Sequence, residues 1–76
     1  MAELGEELRR ERVRRNLTFK DIEQVLHIKT TYLEAIEDGN YAVIPGRVYA
    51  KGFIRNYGNY LGLDGDRLMK VYQNQV

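Results

Sequence analysis

The 76-residue sequence contains no cysteine, one histidine and one proline, and each scarcity narrows the possible functions. Without cysteine there is neither a disulfide framework nor a thiolate metal site. The single histidine, His27, cannot build a metal site alone. We therefore expect neither a metal nor a cofactor.

Long apolar runs are also missing. The longest uninterrupted one, Tyr41–Ile44, is far short of the about 20 residues that span a bilayer. The N-terminus lacks an apolar signal-peptide core. There is no nucleophile–base pair and no glycine-rich phosphate loop, which argues against an enzyme. We expect one small, soluble, cytoplasmic domain that binds rather than catalyses.

The net charge of +1 hides an uneven distribution of charged residues. Residues 17–46 contain only two basic residues, Lys20 and Lys29, but five acidic ones. Residues 47–76 are basic, with five cationic and two acidic side chains. The middle of the chain is thus poorly suited to a polyanion, whereas the last third is better suited to an acidic partner.

Hydrophobic periodicity and capping residues predict an all-α, five-helix bundle, with helices at about residues 3–15, 18–26, 30–38, 47–61 and 65–74. Asn16 is a plausible left-handed helix stop, and Thr18 with Asp21 matches a capping box. Gly39 ends the third helix. Two short helices joined by a tight turn, the second and third, form the helix-turn-helix arrangement.

Two segments resemble phage-repressor (Cro-type) helix-turn-helix domains. One is L-G-E-x-L-x-x-x-R, from Leu4 to Arg12, followed by N-L-T. The other is L-x-x-I-E-x-G, from Leu33 to Gly39, at the end of the recognition helix. In that family the arginine matching Arg12 commonly pairs with the glutamate matching Glu37. The resemblance implies a structural ion pair between the first and third helices.

A more specific resemblance begins at Pro45. The segment P-G-R-V-Y-A-K-G-F-I-R-N-Y, which ends at Tyr57, followed by Y-L-G-L-D, resembles the RodZ family over essentially the whole chain. Members have a cytosolic helix-turn-helix domain, a basic linker, one transmembrane helix and a periplasmic domain. They link the actin-like protein MreB to the cell-elongation machinery. The resemblance implies an MreB-binding adaptor whose parent protein is anchored in the inner membrane, through a C-terminal segment that this chain lacks.

The predicted fourth helix is apolar over an unusually wide arc. At about 100° per residue its aromatic and aliphatic side chains together cover roughly 140°, wider than the ~100° that a helix in a small domain commonly buries. One edge is therefore expected to be exposed, but the arc does not say which. In the RodZ family the aromatic residues that contact MreB match Tyr49 and Phe53.

We predict a protein-binding site on the fourth helix that consists of Tyr49, Phe53, Tyr57, Lys51 and Arg55. Exposed aromatic rings are typical of protein-binding hot spots, and the basic residues would steer an acidic partner. Gly52 and Gly58 lie inside the same helix, where each costs about 1 kcal/mol relative to alanine. Close approach of a helix or partner would explain them, as would a kink.

The alternative function is that of a DNA-binding transcriptional regulator. Its candidate contacts are Lys29, Thr30 and Thr31 at the start of the recognition helix, with Lys20 nearby. Nonspecific affinity for DNA comes largely from phosphate neutralisation, and the acidic middle segment opposes it. We therefore expect DNA binding to be weak.

Overall fold

The computed structural model describes residues 3–75, which form five α-helices and a short 3-10 turn. The helices are α1 (Glu3–Arg14), α2 (Phe19–Leu26), α3 (Thr30–Asp38), α4 (Arg47–Tyr60) and α5 (Gly65–Gln75), and the 3-10 turn is Tyr41–Val43. These residues include no strand. Every helix end lies within one residue of its predicted position, and the prediction of an all-α, five-helix bundle is confirmed.

Local signals set the ends of the first three helices. The Asp21 N–H donates to Thr18 Oγ1 at 3.1 Å and the Thr18 N–H donates to Asp21 Oδ2 at 2.9 Å, so the predicted capping box is present. Asn16 and His27 adopt left-handed backbone angles after α1 and α2 (φ 57° and 59°), and Gly39 does so after α3 (φ 74°). The capping box satisfies free backbone N–H groups at the start of α2, and the left-handed residues end α1, α2 and α3. Neither effect needs residues that are distant in sequence.

The core is aliphatic with two buried tyrosines. Its buried members are Leu4, Leu8, Ile22, Ile28, Leu33, Ile36, Ile44, Ala50, Ile54, Tyr57, Leu61, Leu68 and Tyr72. One apolar residue of α2, Val25, lies outside this core and is 53% exposed. The short α2 packs on α3 through Ile22 and Leu26, which leaves Val25 on the outer side.

The helix α3 lies at the centre and packs against α1, α2 and α4, while α5 packs mainly on α4. The backbones of α1 and α3 approach each other closely at Gly5, which has no side chain to keep them apart. A Cβ added at Gly5 would lie 2.1 Å from the Glu37 carbonyl oxygen. At Gly58 an added Cβ would lie 2.6 Å from Leu68 Cδ1, so α5 explains this glycine. A Cβ added at Gly52 would have no atom within 4 Å beyond its own stretch of helix backbone. The outer side of α4 is therefore uncovered at its N-terminal half.

Candidate protein-binding site on α3 and α4

Three aromatic rings lie in a row across the surface of α4 and α3, and we call them the aromatic row: Tyr49, Phe53 and Tyr32. The Tyr49 and Phe53 ring centroids are 6.1 Å apart, which follows from their positions one turn apart on α4. Phe53 then stacks on Tyr32 of α3, with centroids 5.7 Å apart and an interplanar angle of 18°. The row therefore joins two helices that are distant in sequence.

The aromatic row is accessible to a partner. Tyr49 is 61% exposed, and Phe53 and Tyr32 are half-buried. The neighbouring Val48 is also exposed. Rigid rings that already contact one another lose little conformational entropy when a partner covers them. This exposed edge is the one that the RodZ resemblance implied.

Tyr57 is not part of this surface, and its assignment to the binding site was wrong. Its side chain is fully buried, and its hydroxyl donates to a carboxylate oxygen of Glu37. Tyr57 lies on α4 about 80° from Tyr49, on the side that faces α3 and the core. Helical spacing places the two tyrosines in one apolar arc, but the packing of α4 in the fold buries Tyr57 and leaves Tyr49 exposed.

Glu37 and Tyr57 belong to a buried polar cluster with Arg12. The Arg12 guanidinium donates to Glu37 through Nε at 2.7 Å and through Nη2 at 3.1 Å, and it also donates to the Leu17 carbonyl at 3.0 Å. The guanidinium carbon lies 4.1 Å from the centroid of the Phe19 ring. The predicted Arg12–Glu37 pair is thus present and joins α1 to α3. Through Phe19 and Tyr57 the cluster also contacts α2 and α4.

Charge and burial shift two pKa values within this cluster. The hydrogen bond to Glu37 raises the pKa of Arg12. Burial, reinforced by the Glu37 carboxylate, raises the pKa of Tyr57 well above its ordinary value. Both groups therefore keep their protons at neutral pH, which allows each to donate to Glu37. The cluster is built for stability, since its donors and acceptor are satisfied within the fold.

Lys51 and Arg55 lie elsewhere on α4 than predicted. At about 100° per residue each is turned about 160° from Phe53, in opposite senses, and the buried residues Ala50 and Ile54 lie between Phe53 and Lys51. A surface centred on Tyr49 and Phe53 therefore does not have these cations as its rim. The cation beside the rings is Lys29, whose Nζ lies 6.0 Å from the Tyr32 centroid.

The candidate DNA-contacting residues are only partly presented together. Lys29 and Thr31 are exposed at the start of α3, Thr30 is half-buried, and Lys20 is exposed on α2. Glu34 is exposed one turn further along α3. The start of the recognition helix therefore offers one lysine and a carboxylate to a polyanion, and Lys29 itself borders the aromatic row.

The sequence had a partial signal for the missed members of the site. Lys29 and Tyr32 are three residues apart, which places them on one side of a helix. That Tyr32 stacks on Phe53 depends on how α3 packs against α4, and no local spacing reports it. Among residues 3–75 no group of His, Cys, Asp or Glu side chains could hold a metal ion, and no helix is long and apolar enough to cross a membrane.

Comparison with known proteins places this geometry in a family. A model described as a helix-turn-helix domain matches residues 7–68. A chain in a solved structure, in which the bacterial actin MreB assembles in complex with the cell-shape protein RodZ, superimposes with a TM-score of 0.90. That match has 33% sequence identity and covers 96% of this chain and 89% of the other. The chain belongs to the RodZ family of helix-turn-helix domains.

A second relative is the uncharacterized membrane protein YmfM of Bacillus subtilis (strain 168). It is 35% identical over 60 residues, which are 79% of this chain and 21% of that protein. The chain therefore spans about a fifth of the length of this curated relative. The Cro-type helix-turn-helix that the sequence predicted is confirmed by the family model and by the solved RodZ structure.

Proposed function

We propose that this RodZ-type domain is a non-catalytic adaptor that binds the actin-like protein MreB through Tyr49 and Phe53. It would couple the MreB cytoskeleton to the machinery of cell shape and elongation. The parent protein would hold the domain in the cytoplasm and be anchored in the inner membrane by one transmembrane helix. The membrane-protein relative, of which the chain spans about a fifth, supports this anchoring.

The observation that carries the proposal is the exposed Tyr49–Phe53 pair on a fold that superimposes with a TM-score of 0.90 on a chain from the MreB–RodZ complex. Tyr49, which is 61% exposed, lies beside Phe53, and adjoining accessible aromatic rings of this kind are typical of a hot spot for a protein partner. A second supporting observation is that neither ring is among the buried residues of the core, although Phe53 packs against it.

DNA binding is the weaker alternative. The start of α3 presents Glu34 near Lys29, and residues 17–46 are acidic overall. We expect at most salt-sensitive, sequence-independent binding, with Kd near or above the ~10⁻⁴–10⁻⁶ M of nonspecific complexes. Nanomolar affinity for one operator over scrambled DNA, measured by fluorescence anisotropy, would replace the adaptor proposal with this alternative.

The decisive experiment is the double substitution Tyr49→Ala with Phe53→Ala, titrated against MreB. Each ring is expected to contribute on the order of 2 kcal/mol of binding free energy, as hot-spot aromatic residues do, so the double variant should lose detectable binding. Circular dichroism and thermal melting on the same variant should show an intact fold, because neither ring is fully buried.

The matched control is Lys51→Ala with Arg55→Ala, a double substitution on the opposite flank of the same helix. It should bind MreB nearly as the unsubstituted chain does. A folded Tyr49/Phe53 double variant with full affinity would refute the proposed interface. An unfolded one would mean that these rings belong to the core.

A further inference from the structure

We propose that the MreB-binding surface continues from α4 onto the start of α3, with Tyr32 as its third ring and Lys29 as its charged end. The partner surface would then carry an apolar patch beside a carboxylate. This inference rests on the proposed function and specifies the chemistry of the same site. It makes the site a feature of two helices rather than of α4 alone.

The first argument is the stacking of Tyr32 on Phe53. Their centroids are 5.7 Å apart and their interplanar angle is 18°, so the two rings are in direct contact. Both are half-buried and pack against the core, which leaves part of each ring accessible. A partner that covers Phe53 therefore meets Tyr32 as well, and the stack holds Phe53 in place before binding. Contacts organised in advance in this way lower the entropic cost of association.

The second argument is the unpaired charge of Lys29. Four arginines, Arg12, Arg14, Arg15 and Arg67, form ion pairs with glutamates. Lys29 is exposed and forms no ion pair with the carboxylates of residues 3–75. Its Nζ instead lies 6.0 Å from the Tyr32 centroid, at the end of the aromatic row.

The position of Lys29 decides the chemistry of the partner. A cation at the rim of an aromatic patch favours an acidic group opposite it and disfavours a basic one. Lys51 and Arg55 do not serve this purpose, since they lie about 160° around α4 from Phe53. Among residues 3–75, the cation that lies over a ring of the row is Lys29, which is supplied by α3.

The test is a titration of MreB with single variants of the chain at low and at high salt. Lys29→Glu should weaken binding by about tenfold at low salt, and the loss should shrink at high salt as the charges are screened. Lys20→Glu makes the same charge change at an exposed lysine of α2 away from the row, and it should have little effect. Tyr32→Ala should weaken binding by about tenfold, while Tyr32→Phe, which keeps the ring, should not.

The outcomes separate this inference from the proposed function. If Lys29→Glu binds as Lys20→Glu does, at both salt concentrations, the extension onto α3 is wrong. If the Tyr49/Phe53 double variant still loses binding in that case, the adaptor function stands and the site is confined to α4. Thermal melting identifies a Tyr32→Ala variant that fails to fold, and the Lys29→Glu result then decides alone.

Discussion

The two halves of α4 use the same residue types for opposite purposes. Tyr49 in the first half is 61% exposed, whereas Tyr57 in the second half is buried and donates to Glu37. Gly52 in the first half has nothing within 4 Å of an added Cβ, whereas at Gly58 such an atom would overlap Leu68. The first half therefore presents a surface, and the second half holds the fold together.

The neighbours of α4 cause this difference. Its second half packs against α5 through Gly58 and Leu68, and Tyr57 reaches the Arg12–Glu37 pair. Its first half follows the Ile44–Gly46 connection, and of residues 47–53 only Ala50 is buried. A residue's type on this helix does not reveal its role, because the role depends on which helix lies opposite it.

The sharpest test of the comparison is a pair of alanine substitutions at the two tyrosines. Tyr57→Ala should lower the free energy of unfolding by about 3–5 kcal/mol, since it removes a buried ring and the donor to Glu37. Tyr49→Ala should change it by less than about 0.5 kcal/mol, as is usual for exposed positions. Urea denaturation followed by circular dichroism measures both.

Because Tyr57→Ala can abolish folding altogether, Tyr57→Phe serves as its milder counterpart. It keeps the ring and loses only the hydroxyl, so a loss of about 1–3 kcal/mol is expected. Equal effects of alanine at positions 49 and 57 would show that the two halves of α4 do not differ as described.

The second prediction concerns the acceptor shared by Tyr57 and Arg12. Glu37→Ala should cost about 3 kcal/mol, because it leaves the guanidinium of Arg12, only 14% exposed, without its counter-ion. Arg12→Ala should have a similar effect, and the double variant should lose less than the sum of the two. The matched control is Glu11→Ala, which removes an exposed pairing with Arg14 and should matter much less. A negligible loss of unfolding free energy in both single variants would show that the cluster does not stabilise the fold.

The smallest expected effects compare the two glycines. Gly58→Ala should destabilise the chain by about 1–3 kcal/mol, because the added methyl group overlaps Leu68 and approaches the Gly65 backbone. Gly52→Ala should stabilise it by up to about 1 kcal/mol, since alanine favours a helix and meets no neighbour. Thermal melts of the two variants should therefore shift in opposite directions. A destabilising Gly52→Ala would show that the outer side of α4 is more crowded than the structure indicates.

Part of the site was predictable from the residues, and part was not. The Arg12–Glu37 pair was implied by the resemblance to phage-repressor domains, and its geometry is bidentate. The exposed edge at Tyr49 and Phe53 was chosen by the RodZ resemblance, since the width of the apolar arc left either edge possible. Tyr57 was misplaced because helical spacing orders side chains around one axis without saying what covers them. Lys51 and Arg55 are a different case, since the same spacing already places them about 160° from Phe53.

The fold itself was more accessible to prediction than the site. The capping box at Thr18, the left-handed residue Asn16 and the stop at Gly39 act over four residues or fewer, and all three lie where the sequence placed them. Apolar character alone is a weaker guide to burial, since Val25 of α2 is apolar and yet 53% exposed.

By itself the sequence determined the helices and their order, because capping, backbone conformation and hydrophobic periodicity depend on residues within a turn or two. Only the tertiary structure decided that Tyr57 faces inward, that Tyr49 faces outward, and that Tyr32 and Lys29 of α3 extend the row begun on α4. The physical reason is that burial is a relation between helices. The apolar arc of α4 is wider than the strip its neighbours cover, and the packing of α3 and α5 selects which edge remains exposed.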